Sequence, residues 1–125
     1  MSYPSYDLTL QNAIWRQREW SEKAFGPGKR TKGIADHIRK ELIEVEQSDG
    51  SAEEWIDVLL LTLDALWRTG YDPESVENLF KSKIQENSKR TWPDWRTKSE
   101  DEAIEHVRTP DEQARKDAEA AGGAR

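Results

Sequence analysis

The sequence predicts an all-α fold, an antiparallel four-helix bundle followed by a polar helical tail. Three observations carry this expectation. Apolar residues recur at three- and four-residue spacing in four segments, Gly and Pro stand between those segments, and no segment alternates in the manner of a half-buried strand. The first helix, about Leu8 to Ala24, places Leu10, Ala13, Ile14, Gln17, Trp20 and Ala24 on one stripe, with Trp15 outside it. Gly26-Pro27-Gly28 ends it. The second, about Lys32 to Glu46, repeats Ile34, Ile38, Leu42 and Val45, and Asp49-Gly50 follows. Ser51 and Glu54 form a capping-box pattern ahead of the third helix, which runs to Arg68 before Gly70. Asp72 as N-cap and Pro73 in the first turn open the fourth, which continues through Val76, Leu79, Phe80 and Ile84 to about Arg90.

Beyond Trp95 the composition turns polar. Glu100 to Val107 is a weak helix candidate, and Thr109-Pro110-Asp111-Glu112 leads an Ala-rich helix ending at Gly122-Gly123. The expected division is therefore a bundle over residues 1–98 and a charged tail over 99–125. This tail cannot bury a core of its own, so it should dock, reach a neighbouring subunit or stay mobile.

The chain has 125 residues, of which 34% are hydrophobic and 35% charged, and its net charge is −6. One thin core follows from those figures, with subunit association or an appended segment making up the deficit. No apolar run approaches the roughly 18 residues that cross a bilayer, and Met1 to Asp7 lacks the basic end and apolar stretch of a secretory signal. A soluble cytoplasmic protein without a membrane partner is expected. The acidic balance argues against polymeric nucleic acid. With no cysteine, disulfides, thiolate metal sites and a cysteine nucleophile are excluded, leaving oxygen, His37 and His106 as strong metal ligands.

Charge is unevenly distributed. Lys29 to Lys40 carries five basic residues and one acidic; Glu41 to Asp64 carries eight acids and no Lys or Arg; Lys81 to Lys98 carries six basic residues and two acidic. Within the acidic stretch, Glu41 and Glu44 precede a short turn and Glu54 and Asp57 follow it. Spacing of three puts each pair on one helix face. At about 100° per residue, Glu41 falls about 20° from Ile34 and about 40° from Val45, so it points toward the apolar side of its helix. A carboxylate there must be neutralised, paired or bound to metal. Apolar residues cover most of helix three, and Glu54, Asp57 and Asp64 share the one edge they leave. Two antiparallel neighbours would gather four acids, a set suited to a hard cation such as Mg²⁺. The alternative is that these acids only cap, pair or meet solvent, in a non-enzymatic helical interaction module laced by interhelical salt bridges.

Lys83, Asn87 and Arg90 lie within about 40° of Val76 on helix four, so they face inward, where they meet either the acids or a ligand's phosphates. Lys29 and Arg30 are either a mobile clamp or solvated. His37, one turn before Glu41, is either a carboxylate-orienting group or a core histidine. Trp15 stacks on a ligand, meets another subunit or lies exposed, and Trp92 closes the pocket or anchors its turn. Asp64 is about 10 Å along its helix from Asp57, too far to share an ion, and is expected to orient Lys83 or another supporting group.

The pattern Glu41-x2-Glu44, nine residues, then Glu54-x2-Asp57 resembles the signature of the all-α nucleotide pyrophosphohydrolases, the MazG superfamily. Between Trp20 and Trp92 the likeness extends to Phe25-Gly-Pro-Gly, His37-Ile-Arg-Lys-Glu41, Trp55-Ile-Asp57-Val and Lys83-x3-Asn87-x2-Arg90-x-Trp92. It is similar to the dATP/dGTP diphosphohydrolase branch, which includes the MazZ enzymes of phages that replace adenine with 2-aminoadenine. The resemblance implies a bundle of the MazG-like type that assembles as a dimer or tetramer and depends on Mg²⁺ or Mn²⁺. It implies hydrolysis of a purine deoxynucleoside triphosphate, dGTP or dATP, to the monophosphate and pyrophosphate. In a MazZ setting the dGMP would feed synthesis of the 2-aminoadenine nucleotide. Glu41, Glu44, Glu54 and Asp57 would hold two or more ions and serve catalysis, Glu41 taking the water's proton; Lys83, Asn87, Arg90, Trp92, Lys29, Arg30, Trp15 and His37 are the candidate substrate contacts. A di-iron bundle is disfavoured because paired Glu-x-x-His motifs are missing.

Overall fold

The computed structural model describes residues 8–123; the reading of Met1–Asp7 as lacking a secretory signal lies outside them. Every regular element among the described residues is helical: α1 (Leu10–Phe25), α2 (Thr31–Gln47), α3 (Ala52–Trp67), α4 (Pro73–Lys89), a 3-10 turn at Trp95–Thr97, and α5 (Pro110–Gly123). Local chemistry sets the ends. Thr9 Oγ1 accepts from Asn12 N at 3.1 Å, so α1 starts two residues later than its apolar pattern suggests. Asp72 Oδ1 accepts from Ser75 N at 2.8 Å ahead of Pro73. Between α2 and α3 the chain reverses through Asp49 and Gly50, both left-handed at φ 57° and 80°. Gly50 N returns to Val45 O at 2.8 Å, and Ser51 Oγ accepts from Glu54 N at 3.4 Å.

Helix α3 packs against both α1 and α2. Ile14, Leu63, Trp67 and Val76 form the buried cluster, with Leu10, Ala13 and Leu66 packed on it. Ile34 and Val45 bury the inner stripe of α2. The core is as thin as the composition requires. Much of the apolar surface of α3 stays outside it, with Ile56, Leu59 and Leu60 exposed. Trp20, placed on the apolar stripe by periodicity, is also exposed.

The chain divides into two compact units between Lys81 and Ser82, inside α4. In the second unit the tail folds back on the end of α4. Val107 N donates to Thr91 O at 2.7 Å, the Trp92 and His106 rings meet edge-on at 5.9 Å, and His106 Nε2 lies 2.9 Å from Glu112 Oε2. The helix expected over Glu100–Val107 does not form. Ser99 N instead donates to Glu102 Oε1 at 2.9 Å and Asp101 N to Ser99 Oγ at 3.1 Å, local bonds that compete with a helical ladder too poor in apolar residues to be held by packing. The Thr109 cap forms, Glu112 N donating to its Oγ1 at 3.2 Å.

Candidate functional site

The short turn between α2 and α3 brings two acidic helix faces together. One carboxylate oxygen from each of Glu41, Glu44 and Glu54 lies within 4.8 Å of the other two. Their environment is unfavourable to charge. Glu41 is held above the ordinary glutamate range by a hydrogen bond shared with Glu44, by burial, and by the negative charges of Glu44 and Asp57, with His37 opposing the shift. Glu54 is raised by burial first, then by the charges of Glu44 and Asp57. Oε2 of Glu41 and Oε2 of Glu54 are both buried and have no hydrogen-bond partner. Among the described residues the one basic group paired with this cluster is His37, whose Nε2 is 3.3 Å from Glu41 Oε1. Buried carboxylate oxygens without donors are the condition a divalent cation relieves, so these residues fit a hard-metal site with oxygen ligands. Asp57, exposed and one turn beyond Glu54, completes the negative field.

Beside the acids lies a cleft of about 380 Å³. Glu41, Asp57 and His37 line one part of it; Trp20, Phe25, Leu60 and Leu61 form an apolar part, and Gln17 adds an amide. Trp20 and Phe25 meet edge-on at 5.4 Å. Trp20, Phe25 and Gln17 were not among the expected site residues: helical periodicity placed Trp20 and Gln17 on the apolar stripe, and Phe25 entered only through the Phe25-Gly-Pro-Gly run of the family resemblance. The usable signal was the aromatic pair flanking one turn of helix before a glycine loop.

The remaining candidates are placed as follows. Trp15 lines a separate recess with Arg16, Arg18, Glu19 and Glu22. Arg30 is occupied in the loop, Nη1 donating to Phe25 O at 2.9 Å, and Lys29 lines a small recess with it. Asp64 accepts from Trp67 Nε1 at 2.7 Å and Arg68 Nε at 3.2 Å, so Arg68 takes the partner's place expected of Lys83. In the second unit, Lys83 pairs with Glu86 at 3.2 Å, and Arg90 joins Glu86 at 2.7 Å and Asn87 Oδ1 at 2.8 Å. Trp92 Nε1 donates to Asn87 O at 2.8 Å, which anchors its turn. Glu86 is held below the ordinary range by its hydrogen bond from Lys83 and the Arg90 charge. The ion pairs Arg18–Glu22, His37–Glu41, Lys40–Asp36, Arg68–Asp64 and Lys81–Glu77 of the first unit each join residues four apart along the chain.

A family described as dATP/dGTP pyrophosphohydrolase matches residues 13–112, a span that includes all four acids and the Lys83–Trp92 motif. The chain belongs to this pyrophosphohydrolase family. It is accordingly a nucleotide-hydrolysing enzyme of the nucleoside triphosphate pyrophosphohydrolase class. A similar solved structure is that of a cyanophage S-2L MazG-like pyrophosphohydrolase bound to dGDP and three catalytic Mn²⁺ ions per active site. The likeness covers 84% of this chain and 99% of that one, with a TM-score of 0.64 and 24% identity. It shows that the two share the MazG-like all-α fold. No curated protein matches the chain. No helix of the described residues is long and apolar enough to cross a membrane.

Proposed function

We propose that this pyrophosphohydrolase hydrolyses a purine deoxynucleoside triphosphate, dGTP or dATP, to the monophosphate and pyrophosphate, using Mg²⁺ or Mn²⁺ held by Glu41, Glu44, Glu54 and Asp57. The observation that carries the reading is the pair of buried, unpartnered oxygens, Glu41 Oε2 and Glu54 Oε2, in a cluster whose Glu41 also lines a cleft with Trp20 and Phe25. The dGDP and Mn²⁺ found with the cyanophage enzyme support the same class of substrate and cofactor. When bound, divalent ions supply charge neutralisation for the triphosphate and activation of the attacking water.

The protein's own groups do the rest. Glu41 accepts the water's proton, and His37 orients the carboxylate from its Oε1 side. The flat nucleoside end rests on Trp20 and Phe25, with the Gln17 amide available to a polar ring edge. Lys83, Asn87, Arg90 and Trp92 keep the substrate role implied by the motif. Lys29 and Arg30 serve the loop beside the cleft. Residues 1–98 are the catalytic part in this reading and 99–125 an appendage. A homo-oligomer, dimer or tetramer, covers the exposed apolar side of α3, and Trp15 lies on a subunit contact rather than on the base. In a phage that replaces adenine, the dGMP formed would feed synthesis of 2-aminoadenine nucleotide.

The test is pyrophosphate release by the purified chain from each of the eight common nucleoside triphosphates, with Mg²⁺ and with Mn²⁺. Release from dGTP or dATP above the others is expected. Absence of release from all eight with either ion overturns the reading.

A further inference from the structure

The loop between α1 and α2 leaves the helical ladder after Gly26, whose N still donates to Glu22 O at 3.0 Å, and Gly26 and Gly28 stand at φ 85° and 84°. Two guanidinium groups hold it instead. Arg68, just past the end of α3, is buried: its Nη1 donates to Gly26 O at 2.9 Å and Gly28 O at 2.7 Å, its Nη2 to Ser21 Oγ at 2.9 Å, and its Nε to Asp64 Oδ1 at 3.2 Å. Asp64, equally buried, neutralises it and also accepts from Trp67 Nε1. Arg30 Nη1 closes the loop on Phe25 O. A buried ion pair is seldom the most stabilising way to fill space, since well-packed apolar residues do as well or better. What this pair supplies is directed: a planar cation saturates carbonyls that no apolar group could satisfy, and thereby fixes one loop geometry.

That geometry sets Phe25 edge-on to Trp20, and the two rings with Leu60 and Leu61 make the apolar part of the cleft. Asp64 also lines that cleft. Of the site acids, Glu41 and Asp57 line it as well. We propose that Arg68, backed by Asp64, is a positioning residue for the nucleoside end of the substrate: it holds the Gly26–Gly28 turn so that Phe25 stays against Trp20. The inference rests on reading this cleft as the nucleotide site. Its consequence is a separation of effects, in which loss of Arg68 weakens binding of the nucleoside while the divalent ions that the carboxylates would hold still engage the phosphates.

The experiment compares wild type with Arg68→Met and Phe25→Ala, using dGTP as substrate with dGMP and inorganic pyrophosphate as inhibitors. Folding is checked by circular dichroism. Arg68→Met is expected to raise KM for dGTP and Ki for dGMP about tenfold, the size of one lost base-stacking contact, with kcat and the pyrophosphate Ki within about twofold. Phe25→Ala, which leaves the guanidinium network in place, gives the same split. Should Arg68→Met fail to fold, Arg68→Lys, which keeps a cation beside Asp64 but lacks the planar fork that spans Gly26 O and Gly28 O, decides in its place and is expected to give the same split. Unchanged dGMP inhibition in the folded variants, or equal loss of dGMP and pyrophosphate inhibition, overturns the inference while wild-type activity leaves the functional reading standing. A wild-type chain inactive on every triphosphate overturns both.

Discussion

Glu41 and Glu54 show why an acid can be stable in a place that disfavours its charge only if something else is bound there. Each has one oxygen without a donor and a proton affinity above the ordinary glutamate range. A carboxyl whose pKa is higher folded than unfolded binds its proton more tightly in the native chain. Its contribution to stability is therefore full below the unfolded value and lost as pH rises through the folded one. In metal-free protein at neutral pH, Glu41→Gln should raise Tm, and the difference from wild type should shrink on acidification through the carboxylate range; thermal melts in chelator at several pH values measure it. Glu86 and Glu112 run the other way, since Lys83 and His106 lower them, and lose their contribution as pH falls. Replacing a residue of the proposed metal site has a larger effect on chemistry. Glu44→Gln or Asp57→Asn should reduce pyrophosphate release more than about 100-fold, beyond the usual effect of removing a group that only supports a ligand, with helical circular dichroism unchanged. Full activity in either variant would count against the metal assignment.

The α2–α3 hairpin is the device that makes the cluster. Ser48, Asp49, Gly50 and Ser51 turn the chain so tightly that the last turns of α2 and the first of α3 share their acidic edges. Ser51 caps α3 at the residue, Glu54, whose side chain joins the site. Ser51→Ala should lower the unfolding free energy by about 1 kcal/mol in denaturant titration, the ordinary value of a lost cap. It should also weaken the Mn²⁺-dependent rise in Tm, because the first turn of α3 presents Glu54. An effect on stability without one on metal response would separate the cap from the site. These features were readable in the sequence, since spacing, capping residues and turn glycines act within a few residues of one another. The failure over Glu100–Val107 has the same origin in reverse: local side-chain bonds at Ser99 outweighed a weak apolar pattern.

Six large apolar side chains make up the buried hydrophobic core among the described residues, and α3 presents Ile56 and Leu59 to solvent. Exposed surface of this kind on a nearly all-apolar helix favours self-association. Leu59→Glu should shift the species seen by light scattering toward monomer and remove the dependence of Tm on protein concentration; an unchanged mass would exclude this face as the subunit contact. Divalent ions add to stability by mass action. Mn²⁺ at about 100 times its Kd should stabilise the wild type by about 2.7 kcal/mol, and Glu44→Gln by far less, as read by melting curves with and without chelator.

Periodicity and punctuation were enough to predict four helices and the short tail helix, and the spacing of the acids on α2 and α3 predicted a cluster, of which the fold brings the Glu41, Glu44 and Glu54 carboxylates together. Both are matters of short-range geometry, governed by the helical repeat and by a four-residue turn. What required the folded chain were the long-range partners. That Arg68 reaches across to Gly26 and Gly28 and that Trp20 lines a cleft instead of the core both depend on how helices distant in sequence pack, whereas Asp64 and Arg68 stand four residues apart and are neighbours on one helix face. A helical wheel fixes the direction of a side chain about its own axis and contains nothing about which neighbour lies there. Only the packing of α1 on α3 supplied that.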